Sequence, residues 1–131
     1  MSTLTAQQLT QLARMLDNRQ RALLEEVRTE LERSGEQHYI DLAGRVTDSG
    51  DQAAADLLVD LDAEIIDRQV KELRDIDAAK ERLRTGSYGD CTDCGQEVGF
   101  ERLRAYPTAK RCIDCQTKRE KGFAHSGTPS L

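Results

Sequence analysis

Tryptophan is absent, and five Phe and Tyr residues hold the aromatic content at 4%. Aromatic side chains bury the most apolar area per residue, so a chain this poor in them is ill suited to one large core. Hydrophobic residues make up 37% of the 131 positions and charged residues 33%, against roughly 25% charged in an average globular protein. Proline is nearly missing too. None occurs before Pro107, so nothing in the first hundred residues forces a helix to break. No run approaches the ~20 apolar residues that cross a bilayer. The opening MSTLTAQQLTQLARMLDNRQ lacks the apolar centre of a secretory signal. Gly-rich phosphate loops, H-E-x-x-H and nucleophile elbows are absent, and Ser49 has no neighbouring His to act as base. These absences argue against a membrane protein and against an enzyme. They predict a soluble cytoplasmic protein built from long helices, each packed along a narrow stripe.

What is present is charge, unevenly placed. Residues 1–100 carry 12 Lys/Arg and 21 Asp/Glu, whereas residues 101–121 carry 7 and 3. From Asp48 to Asp67 there are seven acidic residues and no basic one. An acidic body argues against stable direct DNA binding, which depends on neutralising phosphates. The basic patch near the C-terminus suits nucleic acid, an acidic protein surface or plain solvation.

Thr5 and Gln8 have capping-box spacing, which predicts a helix start near Thr5. Leu9, Leu12, Leu16, Leu23, Val27 and Leu31 follow at helical steps. The first helix is expected to reach the low forties, with a disturbance at Ser34-Gly35. A second stripe, Leu58, Leu61, Ile65, Leu73, Ile76 and Leu83, predicts a helix from near Asp51 to Thr85, closed by Gly86. Joined by a short polar loop, the two read as an antiparallel hairpin with arms of roughly 45–50 Å. Arg19 and Arg68 fall near its seam. His38 and His125 are isolated and are not expected to bind metal.

Four cysteines stand in the pattern C-x2-C-x17-C-x2-C: Cys91, Cys94, Cys112 and Cys115. Paired CxxC knuckles can close a tetrahedron of thiolates around zinc. Two pairs in a chain without an export signal favour metal over disulfides. A single redox CxxC is the competing reading, but it normally sits at a strand-to-helix junction that this sequence lacks. One structural zinc ion is therefore expected. Gly95 supplies the turn behind the first knuckle, and Val98, Phe100, Leu103 and Tyr106 suggest a short hairpin or strand pair between the knuckles. Pro107 turns the chain toward the second knuckle, and Ile113 and Phe123 are expected to pack a last helix on this small core.

The arrangement resembles the DksA/TraR family of bacterial transcription regulators. The resemblance is carried by Gly86-Ser-Tyr88-Gly89, Cys91-Thr-Asp-Cys94-Gly95, Arg102-Leu103, Pro107-Thr108-Ala109 and Cys112-Ile113-Asp114-Cys115, and by the loop Asp48-Ser-Gly-Asp51-Gln-Ala53. It implies a mainly α fold: a long coiled-coil hairpin, a small zinc-finger globule closed by the four cysteines, and a C-terminal helix. The implied divisions are an N-terminal segment 1–10, a hairpin 11–85 with its tip at 45–55, a zinc globule 86–121, and a disordered tail 122–131. The implied partner is RNA polymerase, entered through its secondary channel with the tip near the active centre. Open-complex stability at ribosomal RNA and amino-acid biosynthesis promoters would change, in many members together with ppGpp. Position by position, Asp48, Asp51 and Ala53 correspond to the effector tip, and Arg68 to a basic position implicated in polymerase or ppGpp contact. Where the family pattern has further basic residues for ppGpp, this sequence has Asp75, Tyr106 and Gln116, none cationic. The segment ahead of the hairpin is also shorter, as in a divergent paralogue.

Two other functions fit parts of the sequence. A nucleic-acid-binding zinc ribbon would use Arg102, Arg104, Lys110, Arg111, Lys118 and Arg119. A thiol switch would release zinc on oxidation of the cysteines.

Overall fold

Thr5 and Gln8 cap one another. The Gln8 N–H donates to Thr5 Oγ1 at 3.1 Å and the Thr5 N–H donates to Gln8 Oε1 at 3.0 Å, which satisfies two of the free donors at a helix start. In the computed structural model, which describes residues 4–49 and 66–127 (side chains at 4–46 and 66–122), this cap opens α1, Ala6–Arg33. The helix is unbroken across residue 10, where the sequence suggested a division. Its buried stripe is Leu12, Leu16, Gln20, Leu23, Val27 and Leu31. Gln20 fills the gap that the apolar spacing leaves between Leu16 and Leu23.

The first arm ends earlier than expected. α1 stops at Arg33, and α2, Gln37–Ser49, turns back and packs on it through Leu42, Ala43 and Val46. The break has local causes. Ser34 Oγ donates to the Leu31 carbonyl at 2.6 Å and accepts from the Glu36 N–H at 3.2 Å, so it competes with the helix for backbone partners. Gly35 then adopts φ +76°, a left-handed conformation that costs a residue with a Cβ.

α3, Asp67–Thr85, runs antiparallel to α1 and buries Leu73, Ile76 and Ala79. Gly86 ends it with φ +83°, as the sequence suggested. Leu58, Leu61 and Ile65 of the expected stripe lie outside the described residues. Arg19 does not enter the seam. It lies beside it in a two-pronged pair with Glu72, at 2.6 and 2.9 Å. Arg68 is exposed in the first turn of α3.

Beyond Gly86 the chain forms a small globule against the base of the hairpin. No strand pair lies between the knuckles. Among the described residues there is one isolated bridge, Asp90 with Glu97, and then α4, Phe100–Ala105. Gly99, at φ +98°, turns the chain, and the good helix formers after it place Leu103 in the core facing α1. α5, Ile113–Gly127, is the C-terminal helix. It extends into the segment read as a disordered tail, because adding residues to a formed helix costs little. Ile113 does not pack on the core. It is 59% exposed, and among the described residues no other helix packs on α5.

Two glycines test the break at Ser34–Glu36. A Cβ at Gly35 or at Gly44 meets nothing within 4 Å, so only backbone preference matters at either. Gly35→Ala is expected to destabilise the protein by about 1–2 kcal/mol because of its positive φ. Gly44→Ala, in the interior of α2, is expected to stabilise it by about 1 kcal/mol. Denaturant unfolding reads both. Stabilisation by Gly35→Ala would mean that the helix runs straight through.

Candidate metal centre

The first knuckle is shaped by the backbone. The Gly95 N–H donates to the Cys91 carbonyl at 3.0 Å and the Cys91 N–H to the Gln96 carbonyl at 2.7 Å. Gly95 holds φ +77°, which lets the chain turn tightly behind Cys94. The second knuckle starts α5, where the Gln116 N–H donates to the Cys112 carbonyl at 2.9 Å. Two cross-links join the knuckles. The Thr92 N–H donates to the Lys110 carbonyl at 2.8 Å, and Arg111 Nε donates to Asp93 at 2.9 Å. Arg102 Nε donates to the Arg111 carbonyl at 3.1 Å, which ties α4 to the same stretch of chain.

The result is that the four Sγ atoms of Cys91, Cys94, Cys112 and Cys115 all lie within 4.8 Å of one another. Cys94 and Cys112 are 3.8 Å apart. A tetrahedron with Zn–S of about 2.3 Å has edges of about 3.8 Å, so the donors fit zinc. Cys91 is buried and Cys94 exposed, with Cys112 and Cys115 between. Burial works against ionising Cys91, but N–H groups of Cys112, Cys94 and Asp93 outweigh it and bring the thiol down to about 6. The sulfurs of Cys112 and Cys94 push the Cys115 thiol well above its ordinary range. Four thiolates at such distances need a cation among them, and a dication supplies it. With all four positions taken by sulfur, the ion is structural rather than catalytic.

Tyr88 links this centre to the hairpin. It is buried, and its hydroxyl donates to the Pro107 carbonyl at 2.8 Å. Pro107 sits in the turn closed by the Ala109 N–H on the Tyr106 carbonyl at 3.0 Å. One side chain thus joins the start of the globule to the approach to its second knuckle. The sequence offered a hint, since a Tyr needs a hydroxyl partner when buried, but not which partner.

The remaining residues singled out by sequence are not brought to the sulfurs. Asp48 lies near the end of α2, with its side chain outside the described residues, as are Asp51 and Ala53 entirely. His38 is exposed and lies 3.5 Å from Glu36. Asp75 and Tyr106 line one cleft of about 540 Å3 between the hairpin base and the α4–α5 connection, with Met15, Leu16, Ile76 and Pro107. Tyr106 is 51% exposed. Arg19 and Glu72 close one side of it.

Two outcomes follow from this geometry. Cys91→Ser is expected to abolish stoichiometric zinc binding and to make residues 86–121 protease-sensitive, because Tyr88 and Leu103 lose their enclosure; zinc analysis that still finds a full complement would contradict the four-sulfur site. The second concerns alkali. Burial raises the Tyr88 hydroxyl from 10.0 to about 12. The stability linked to it is therefore complete below pH 10 and lost as pH rises through about 12. Tyr88→Phe should remove that alkaline dependence while costing about 1 kcal/mol at neutral pH. Unfolding curves of the two proteins across alkaline pH provide the check.

Residues 86–121 match the prokaryotic dksA/traR C4-type zinc finger family. The chain is 34% identical over 113 residues to the RNA polymerase-binding transcription factor DksA of Salmonella typhimurium, covering 86% of this chain and 72% of that protein. It is 37% identical over 83 residues to the protein of the same name from Haemophilus influenzae, covering 63% of this chain but only 57% of the relative. The solved structure of transcription factor DksA2 from Pseudomonas aeruginosa is similar with a TM-score of 0.63 and 29% identity, covering 92% of this chain and 88% of that one. The four-sulfur centre, its place at the base of a helical hairpin and these likenesses agree: the chain belongs to the DksA/TraR family.

Proposed function

We propose that this protein is an RNA polymerase-binding transcription regulator without catalytic chemistry of its own. The observation that carries the reading is the joining of a family zinc globule to a helical hairpin whose sequence holds the acidic stretch Asp48 to Asp67. The relatives' description as RNA polymerase-binding transcription factors supports the partner. In this reading the hairpin enters the secondary channel, and Asp48, Asp51 and Ala53 form the effector tip near the active centre. Carboxylates suit that place, since they engage basic groups and metal-bound elements around a catalytic Mg2+. Open complexes at ribosomal RNA and amino-acid biosynthesis promoters are the expected targets. Arg68, exposed at the start of α3, is the proposed additional contact. The protein acts in the cytoplasm; no described helix is long and apolar enough to cross a membrane.

Action without a requirement for ppGpp is favoured. Asp75 and Tyr106 share one cleft, and Gln116 lies on α5 bonded to Glu120 at 3.1 Å. None of the three offers a positive charge to a polyphosphate. Direct DNA binding is disfavoured by the acidic body of the chain, and part of the basic patch is already engaged. Arg111 is engaged by Asp93, Arg104 by Glu101 at 2.6 Å, and Arg102 by a carbonyl and the Tyr106 ring.

Transcription in vitro from a ribosomal RNA promoter, with zinc-loaded protein and its host polymerase, tests the reading. Wild type should lower output with or without ppGpp, and Asp51→Asn should lose most of that effect while still binding polymerase. No binding by wild type would remove the polymerase assignment. A fully active Asp51→Asn protein would remove the tip assignment alone.

A further inference from the structure

The seam between α1 and α3 is apolar except at one level. Gln20 is 0% exposed there, between Leu16 and Leu23 on its own helix. Its amide reaches α3 from both ends. Nε2 donates to Asp77 Oδ1 at 3.1 Å, and Oε1 accepts from Lys80 Nζ. Lys80 in turn pairs with Asp17 at 2.7 Å. Two residues on each helix thus form one connected polar cluster, with the Arg19–Glu72 fork beside it. An apolar residue at position 20 would pack in the same seam, and a buried amide adds no attraction that a leucine could not exceed. What the amide does add is dependence on a particular alignment.

We propose that this cluster fixes the register of α1 against α3, making Gln20 a positioning residue for the hairpin. Sliding α3 by one heptad brings Val70 and Leu73 to Gln20 in place of Asp77 and Lys80. The amide would then be buried without partners. In the same slip Lys80 would face Thr10 and Ala13, neither of them acidic, in place of Asp17 and Gln20. A slip the other way brings Arg84 and Ser87 to Gln20, and Ser87 is beyond the end of α3. Lys80 would then meet Leu24 and Val27, both apolar. The apolar residues alone discriminate weakly, because Leu and Ile at seam positions accept one another in many alignments. A heptad of slip displaces one helix by about 10 Å along the other. In the polymerase reading, that displacement changes how far the hairpin's distal end stands from the zinc globule.

The test is methyl NMR on zinc-loaded full-length protein carrying Gln20→Leu, with Lys80→Met as a second variant. Wild type should give one set of Leu73 and Ile76 methyl signals. Gln20→Leu should keep or raise the thermal midpoint yet give two or more sets, with contacts from Ile76 to alternative α1 residues. Lys80→Met should also multiply the signals. A single native set in both variants overturns the proposal. So does loss of folding in both, which would make the cluster a source of stability rather than of alignment. The readout is packing, not transcription, so its failure is distinct from failure of the polymerase reading.

Discussion

Four sulfur atoms within 4.8 Å of one another cannot all be thiolates unless a cation sits among them. That electrostatic requirement organises the C-terminal part of the protein. The chain between the knuckles is too short and too poor in apolar residues to hold itself together. The buried apolar residues of the whole globule are few: Tyr88, Cys91, Val98, Leu103 and Ala109. A bound dication turns mutual repulsion among the sulfurs into the strongest link in the globule. Around it, the Thr92–Lys110 and Arg111–Asp93 bonds keep the knuckles facing each other.

The globule matters because of what it is attached to. α3 delivers the chain to Tyr88 through Gly86, and the Tyr88 hydroxyl fastens that arrival to Pro107. α4 places Leu103 against α1, the other arm of the hairpin. Both arms are therefore anchored at one end by the metal-dependent core. Along the seam, Leu12, Leu16, Leu23, Leu73 and Ile76 supply burial, and the Gln20 cluster supplies alignment. Burial gives adhesion without much preference among alignments. Polar groups that must find partners give preference without much adhesion.

How much of this was legible in the sequence depended on whether the cause was local. The Thr5–Gln8 box and the Gly86 cap are local, and both stand where their spacing put them. The cysteines were legible for a related reason: CxxC spacing encodes a knuckle whatever surrounds it. The early end of α1 was half legible. Ser34-Gly35 marked a weak point, but only the return of Leu42, Ala43 and Val46 onto α1 decided that the helix stops there. Gln20 was visible only as a gap of seven in the leucine stripe, because its partners lie on the other arm. The strand pair expected after Gly95 failed on propensity, since Phe100-Glu-Arg-Leu-Arg-Ala favours a helix once Gly99 has turned the chain. Ile113 misled because hydrophobicity alone does not say that a neighbour exists to cover it. The tip residues Asp51 and Ala53 were named through family resemblance and stand outside the described residues.

In the proposed function, the acidic tip of the hairpin reaches the active centre of RNA polymerase through the secondary channel. Placing a photo-cross-linking amino acid at Ala53 and irradiating the zinc-loaded protein with core polymerase addresses it directly. Cross-links to polymerase segments bordering the active centre are expected, and they should be lost when the secondary channel is blocked. Cross-links confined to the outer surface of the polymerase, or none despite stable binding, would contradict it.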